Sequence, residues 1–186
     1  TMRNGQWEKK AYGKGIELCG KTLGVVGFGR IGQKLGVMAK AIGMNVIAFD
    51  IFHIPGIEEQ LGIPYVEMDE LLAKADFISV HAPAVDGGAL INAERIAKMK
   101  DGVVFLNFSR DVLVDDVAMA EALESGKVAA YVTDFANPAV VKMERAIVIP
   151  HLGASTAEAE DNCAKMAVEE VMAYLERGEK IHCVNM

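Results

Sequence analysis

Six short apolar runs recur along the chain: TLGVVGF (22–28), NVIAFD (45–50), DFISVHA (76–82), GVVFLNFS (102–109), AAYVTDFA (129–136) and AIVIPH (146–151). Each is apolar nearly throughout instead of alternating, the pattern of parallel strands covered on both faces. Between them lie stretches of helical period: RIGQKLGVMAKAI, MDELLAKA, NAERIAKMK, DDVAMAEALESG and, longest, TAEAEDNCAKMAVEEVMAYLERG. The gap DIFHIPGIEEQLGIPYVE predicts a short helix and a turn. Strand and helix in regular alternation predict an α/β fold with a doubly wound parallel sheet. No repeat, low-complexity tract or interior linker breaks the pattern, so one folding unit over 1–186 is expected.

Composition narrows the function classes. Hydrophobic residues make up 52% of the chain and charged residues 24%, enough apolar material for one sizeable core in 186 residues. A formal charge of −7 argues against a nucleic-acid partner, because phosphate binding needs clustered Lys and Arg. The three cysteines, Cys19, Cys163 and Cys183, show no CxxC and no metal-ligand spacing. Reduced thiols in the cytoplasm and no metal are expected. No apolar run approaches the ~18 residues of a membrane span, so no membrane partner is expected either.

In a doubly wound sheet, ligands bind outside the carboxyl ends of the strands, where strand order reverses. The first run ends in GFGRIG, which sets Gly27, Gly29 and Gly32 in GxGxxG register between a strand and a helix. Gly27 permits the tight turn, Gly29 lets backbone approach a pyrophosphate, and Gly32 allows close helix–strand packing. The helix N-terminus adds amides and positive dipole, with Arg30 flanking the phosphates. Asp50, at the tip of the second run, answers this motif: it accepts both ribose hydroxyls and repels a 2′-phosphate. Ile51 and Phe52 beside it supply no cation, so NAD is expected over NADP. His53, the one other polar group nearby, is expected to be solvated.

The other strand ends are also polar: His81 in VHAP, Asn107 to Arg110 in NFSR, Asp134 in VTDF and His151 in IPHLG. Any one of them is explained by an end-of-strand cap. Four on one edge imply a site.

The series GKTLGVVGFGRIGQ, VHAP, FLNFSRDVLVDD, VTDF and IPHLGAST resembles the cofactor domain of the D-isomer-specific 2-hydroxyacid dehydrogenases. The match runs from RNGQWEKK to the closing VNM, with motif order and spacing in agreement. The resemblance implies a dinucleotide-binding (Rossmann) domain and an NAD-dependent oxidoreductase working between a small 2-hydroxy acid and its 2-keto acid, as a homodimer. By position, Arg110 resembles the family arginine that grips the substrate carboxylate and carbonyl, and His151 resembles its general acid/base. Asp134 matches the position near the nicotinamide carboxamide, Asn107 and Ser109 line the same side, and Ala82 and Pro83 border the adenosine. Ile31, His81, Phe108 and Gly153 complete the expected cofactor set.

The chemistry fits those residue types. Hydride delivery to a keto carbon leaves a developing alkoxide, and a histidine titrating near neutrality can protonate it. A forked, permanently charged guanidinium can hold a carboxylate bidentately and orient the reacting carbon.

The chain departs from the family in two places. The family carries a glutamate in a Glu-Pro step after the Asp134 position, which bonds the catalytic histidine; here Asn137 precedes Pro138. Asn137 is therefore expected to orient His151 through its amide oxygen, with Glu144 as the alternative partner. An amide adds no charge, so the histidine pKa should sit lower than beside a carboxylate. Asp111 stands where glycine commonly follows the arginine, and a short-chain branch of the family is similar to this chain at both places.

Family members build a second, substrate-facing domain from segments flanking the cofactor domain. By that resemblance the chain reads as a cofactor domain without its substrate domain, with Trp7 and MAVEEVMAYLERG at the hinges. Choice among 2-keto acids would then lie mostly outside it, leaving relatives acting on glyoxylate, hydroxypyruvate or D-lactate as alternatives. A non-catalytic NAD-sensing scaffold, like the transcriptional corepressors that share the fold, is the alternative of another class.

Overall fold

The computed structural model describes residues 2–8, 10, 13, 15–84 and 87–183. Lys9 within RNGQWEKK and the closing residues 184–186 lie outside the described residues. The chain divides into two compact units, Thr1–Ile149 and Pro150–Met186.

In the first unit each apolar run forms a strand: β1 Thr22–Val26, β2 Asn45–Phe49, β3 Phe77–Val80, β4 Val103–Asn107, β5 Val128–Thr133 and β6 Ala146–Val148. Pairing is parallel throughout, in the order β2-β1-β3-β4-β5-β6. The helices are α1 Arg30–Ala41, α2 Ile57–Leu61, α3 Met68–Lys74, α4 Ala93–Lys98 and α5 Asp116–Ser125. The first crossover leads from β1 outward to β2; the next returns across β1 to β3. Strand order therefore reverses between β1 and β3, and the crevice opens at their carboxyl ends.

Side-chain parity sorts the core. Leu23 and Val25 of β1 join Phe28, Ala39, Val46, Ala48 and Ile63 in one cluster. Val26 of the same strand joins Ile78, Val80, Phe105, Leu71, Leu72, Met119 and Leu123 in the other. Successive residues of a strand point to opposite faces, so a strand apolar at every position feeds two cores. Each fully buried Leu, Ile, Val or Phe contributes roughly 1.5–3 kcal/mol.

The gap before α3 holds more than a helix and a turn. Tyr65 forms an isolated parallel bridge to Ala48, whose N–H donates to the Pro64 carbonyl at 2.9 Å and whose carbonyl accepts from Val66 N–H at 2.8 Å. That bridge extends the sheet by one residue beyond β2. His53 stacks on the Tyr65 ring, centroids 4.0 Å apart, while remaining exposed.

At the opposite, amino edge of the sheet, Asp76 accepts the Thr22 N–H at 2.8 Å and pairs with Lys100 Nζ at 3.0 Å. Burial pushes its carboxyl pKa up, but the Thr22 N–H, the Lys100 ammonium and the Lys21 charge outweigh burial and hold it below the ordinary value. A folded pKa below the unfolded one stabilises the protein fully above the unfolded value, near 3.8, and the benefit is lost as pH falls through the folded value. Asp76→Asn should therefore flatten the acid arm of the stability curve. Urea midpoints between about pH 5 and about pH 2.5 test this, and a variant curve parallel to wild type across that range would exclude it.

The second unit holds α6, Ala157–Arg177. Thr156 caps it, its hydroxyl accepting the Ala159 N–H at 3.1 Å, and Gly178 ends it in the left-handed region at φ 66°.

Candidate functional site

The β1–α1 turn shows why its glycines are glycines. Gly27 has φ +91°, and a Cβ there would stand 2.6 Å from the His81 carbonyl carbon and 2.7 Å from the Ala82 nitrogen. Both the conformation and the backbone of the β3 end exclude a side chain. At Gly32 a Cβ would overlap the Gly27 carbonyl oxygen and lie 3.0 Å from Val25 Cγ1, so α1 can pack on β1 only without one. Gly29 is different: a Cβ there meets nothing within 4 Å. The space above it is open.

Gly29 is also the N-cap of α1, and no side chain caps that helix and no acid sits in its first turn. Its first N–H groups and the helix dipole are directed at the open space, the arrangement that binds a phosphate. Arg30 and Ile31 begin the helix, both exposed. Asp50 stands across the turn: Oδ2 accepts the Phe28 N–H at 2.6 Å and Oδ1 accepts the Phe52 N–H at 3.0 Å. A carboxylate offers about four acceptor sites, so two remain for a ribose diol. Ile51 and Phe52 are exposed beside it. An open cradle, uncapped amides and a pre-oriented carboxylate fit a dinucleotide.

The neighbouring strand ends are tied to this turn in sequence. His81, just past β3, bonds Ser79 Oγ through Nε2 at 2.9 Å, and burial pushes its imidazole below the usual histidine range. Ala82 is half-buried and Pro83 exposed. The Ala82 carbonyl accepts the Ser109 hydroxyl at 2.5 Å, joining the β3 end to the β4 end. Asn107, fully buried, organises the next loop: Oδ1 accepts the Ser109 N–H at 3.1 Å and Nδ2 donates to the Arg110 carbonyl at 2.8 Å. Phe108 and Ser109 are half-buried and Arg110 is exposed. The Arg110 guanidinium lies 5.6 Å from the ring centroid of Phe135, on the β5 end next to the half-buried Asp134. Five adjacent strand ends thus contribute to one edge.

Asn137 is bonded locally. Its Oδ1 accepts N–H groups from Ala139 at 2.9 Å and Val140 at 2.8 Å, while Nδ2 donates to Asp116 Oδ2 at 2.8 Å. Together these bonds fasten the turn after β5. Glu144 precedes β6, at the amino end of a parallel strand, and is exposed beside a cavity of about 680 Å³ along α5. It lies on the edge opposite the strand carboxyl ends.

His151 and Gly153 belong to the second unit. Both are exposed in the turns that lead into α6, where the Leu152 N–H donates to the Pro150 carbonyl at 2.8 Å and the Ser155 N–H to the Leu152 carbonyl at 3.0 Å. Three elements carry no sequence signal of their own: the Phe135 ring beside Arg110, the Asp116 partner of Asn137 and the Tyr65 bridge.

The crevice, its glycine turn and its acid define an NAD-binding domain, and residues 1–153 match the family described as "D-isomer specific 2-hydroxyacid dehydrogenase, NAD binding domain". The chain belongs to that family. Among individual proteins, it is 43% identical over 182 residues to D-3-phosphoglycerate dehydrogenase of Mycobacterium leprae (strain TN), covering 94% of this chain and 34% of that protein. It is 41% identical over 186 residues to hydroxypyruvate reductase of Thermotoga maritima, covering 94% of this chain and 59% of that protein. Among solved structures, a glyoxylate reductase from Paecilomyes thermophila superposes with a TM-score of 0.85 at 35% identity, over 99% of this chain and 58% of that one. The chain therefore spans 34% and 59% of the lengths of the two curated relatives. No helix among the described residues is long and apolar enough to cross a membrane.

Proposed function

We propose that the chain is the NAD-binding part of a D-3-phosphoglycerate dehydrogenase, interconverting 3-phosphoglycerate and 3-phosphohydroxypyruvate at the entry to serine biosynthesis. The observation that carries the reading is the strand-end edge running from Gly27 and Asp50 to Arg110, in a chain 43% identical to a protein of that name. Gly29, the amides of Arg30 and Ile31, and Asp50 would hold the dinucleotide, with Ala82 and Pro83 along the adenosine and Asp134 by the nicotinamide. When bound, NADH supplies the hydride. Arg110 holds the 2-keto acid by its carboxylate, bidentately, and turns the carbonyl toward the hydride donor. His151 donates a proton to the oxygen as negative charge develops there, and takes it back in the reverse direction. Trp7 and α6 serve as hinge segments. Exposed Ile31 and Met38 on α1 and Ile42 at its C-cap offer a self-association face for a homodimer, which sedimentation reads directly. Three free, exposed cysteines suit the reducing cytoplasm.

The test is substrate preference in the full-length enzyme. 3-Phosphohydroxypyruvate should exceed hydroxypyruvate and glyoxylate in kcat/KM by about 100-fold or more, some 2.7 kcal/mol of transition-state binding. The reverse order favours a second reading, a hydroxypyruvate reductase, which the 41% identity to the Thermotoga maritima protein supports.

Cofactor choice rests on Asp50. Fluorescence titration should find NADH bound at least about tenfold more tightly than NADPH, with Asp50→Ala narrowing the gap. Equal affinities in the unaltered chain would remove Asp50 from the role.

A further inference from the structure

Arg110 is exposed on a loop, and a flexible cation there carries rotamer freedom that substrate binding would have to quench. Two contacts already restrain it. Its Nη1 donates to the Ser109 carbonyl at 2.6 Å, and its guanidinium carbon lies 5.6 Å from the Phe135 ring centroid. We propose that Phe135 is a positioning residue, whose ring holds the Arg110 guanidinium oriented for a substrate carboxylate; this rests on the reading of Arg110 as the carboxylate anchor.

A ring suits the task better than an acid. No ion pair to Arg110 occurs among the described residues. A carboxylate beside Arg110 would orient the guanidinium but neutralise it and compete with the substrate for its N–H groups. The face of an aromatic ring attracts a cation through its quadrupole and takes none of its donors. One of the five N–H groups is spent on Ser109, and four stay available. The backbone that carries the ring is itself held in place. The Phe135 N–H donates to Oγ1 of the fully buried Thr133 at 3.1 Å, and two residues on, Asn137 closes the turn and ties it to Asp116 on α5. The Arg110 loop is fixed from the other side by Asn107.

The experiment compares Phe135→Leu, Phe135→Tyr and Arg110→Ala in the full-length enzyme with 3-phosphohydroxypyruvate. Leu fills much of the same space without a ring face; Tyr keeps the face. Phe135→Leu should raise KM roughly threefold to tenfold, the range of a cation–π contact, with kcat within about twofold and NADH affinity unchanged. Phe135→Tyr should stay within about twofold of wild type in both. A KM unchanged in Phe135→Leu, or a Tyr variant as impaired as the Leu variant, overturns the proposal, as does a parallel loss of NADH affinity. Arg110→Ala separates the two possible failures. If it leaves KM unchanged, the anchor reading falls; if it costs affinity and Phe135→Leu does not, only the role of the ring falls. Should Phe135→Leu fail to fold, the Arg110 side-chain protons of the wild-type protein decide by NMR: ring-current shifts upfield support the proposal, and random-coil positions overturn it.

Discussion

Alanine at Gly27 is expected to weaken NADH binding by about 100-fold or more and to lower stability by about 2–5 kcal/mol. The stability figure joins two costs: roughly 1–2 kcal/mol for a side chain at positive φ, and roughly 1–3 kcal/mol for forcing a methyl against packed atoms. The second cannot be relieved by a rotamer change, because the atoms met at 2.6 and 2.7 Å are the backbone of His81 and Ala82. The turn must move, and a shift near 1 Å in a positioning group costs on the order of 100-fold. Gly29→Ala is the contrast. Its φ is −76° and its Cβ meets nothing within 4 Å, so stability should change little while the methyl intrudes on the approach to the pyrophosphate. Titration with NADH and urea unfolding on both variants give the answer. Full NADH affinity in Gly27→Ala would mean that the β1–β3 crevice is not the cofactor site.

Removing the His151 imidazole is the second large effect. In the full-length enzyme His151→Ala should cut kcat for ketone reduction by about 10²–10⁴, the usual worth of a positioned general acid. NADH affinity should hold, since the residues proposed to bind phosphate and ribose lie in the other unit of the chain. The pH–rate limb assigned to the acid should vanish with the side chain. A turnover within tenfold of wild type would move the proton donor elsewhere.

The strands were legible because parallel strands buried on both faces need apolar residues at nearly every position, a local signal. The turn at Gly27 was equally legible: its demands on φ and space are met by residue types a few positions apart. Asn137 was not. Its amide is claimed by N–H groups two and three residues ahead and by Asp116, and the partner on α5 becomes a neighbour only once β5 lies beside it. The same holds for Asp76, whose Thr22 and Lys100 partners come from the first residue of β1 and the segment leading into β4. The Tyr65 bridge escaped notice because a single residue pair leaves no periodicity to read.

Asn107 has a kinetic side. Buried and bonded to both the Ser109 N–H and the Arg110 carbonyl, it holds the Arg110 loop in shape through the chain's own bonds. For the carboxylate anchoring proposed for Arg110, a loop tied by its own bonds leaves an arriving anion little to order, so capture is expected to be a matter of encounter rather than of induced rearrangement. Discrimination between acids of similar charge then falls to how long each one stays.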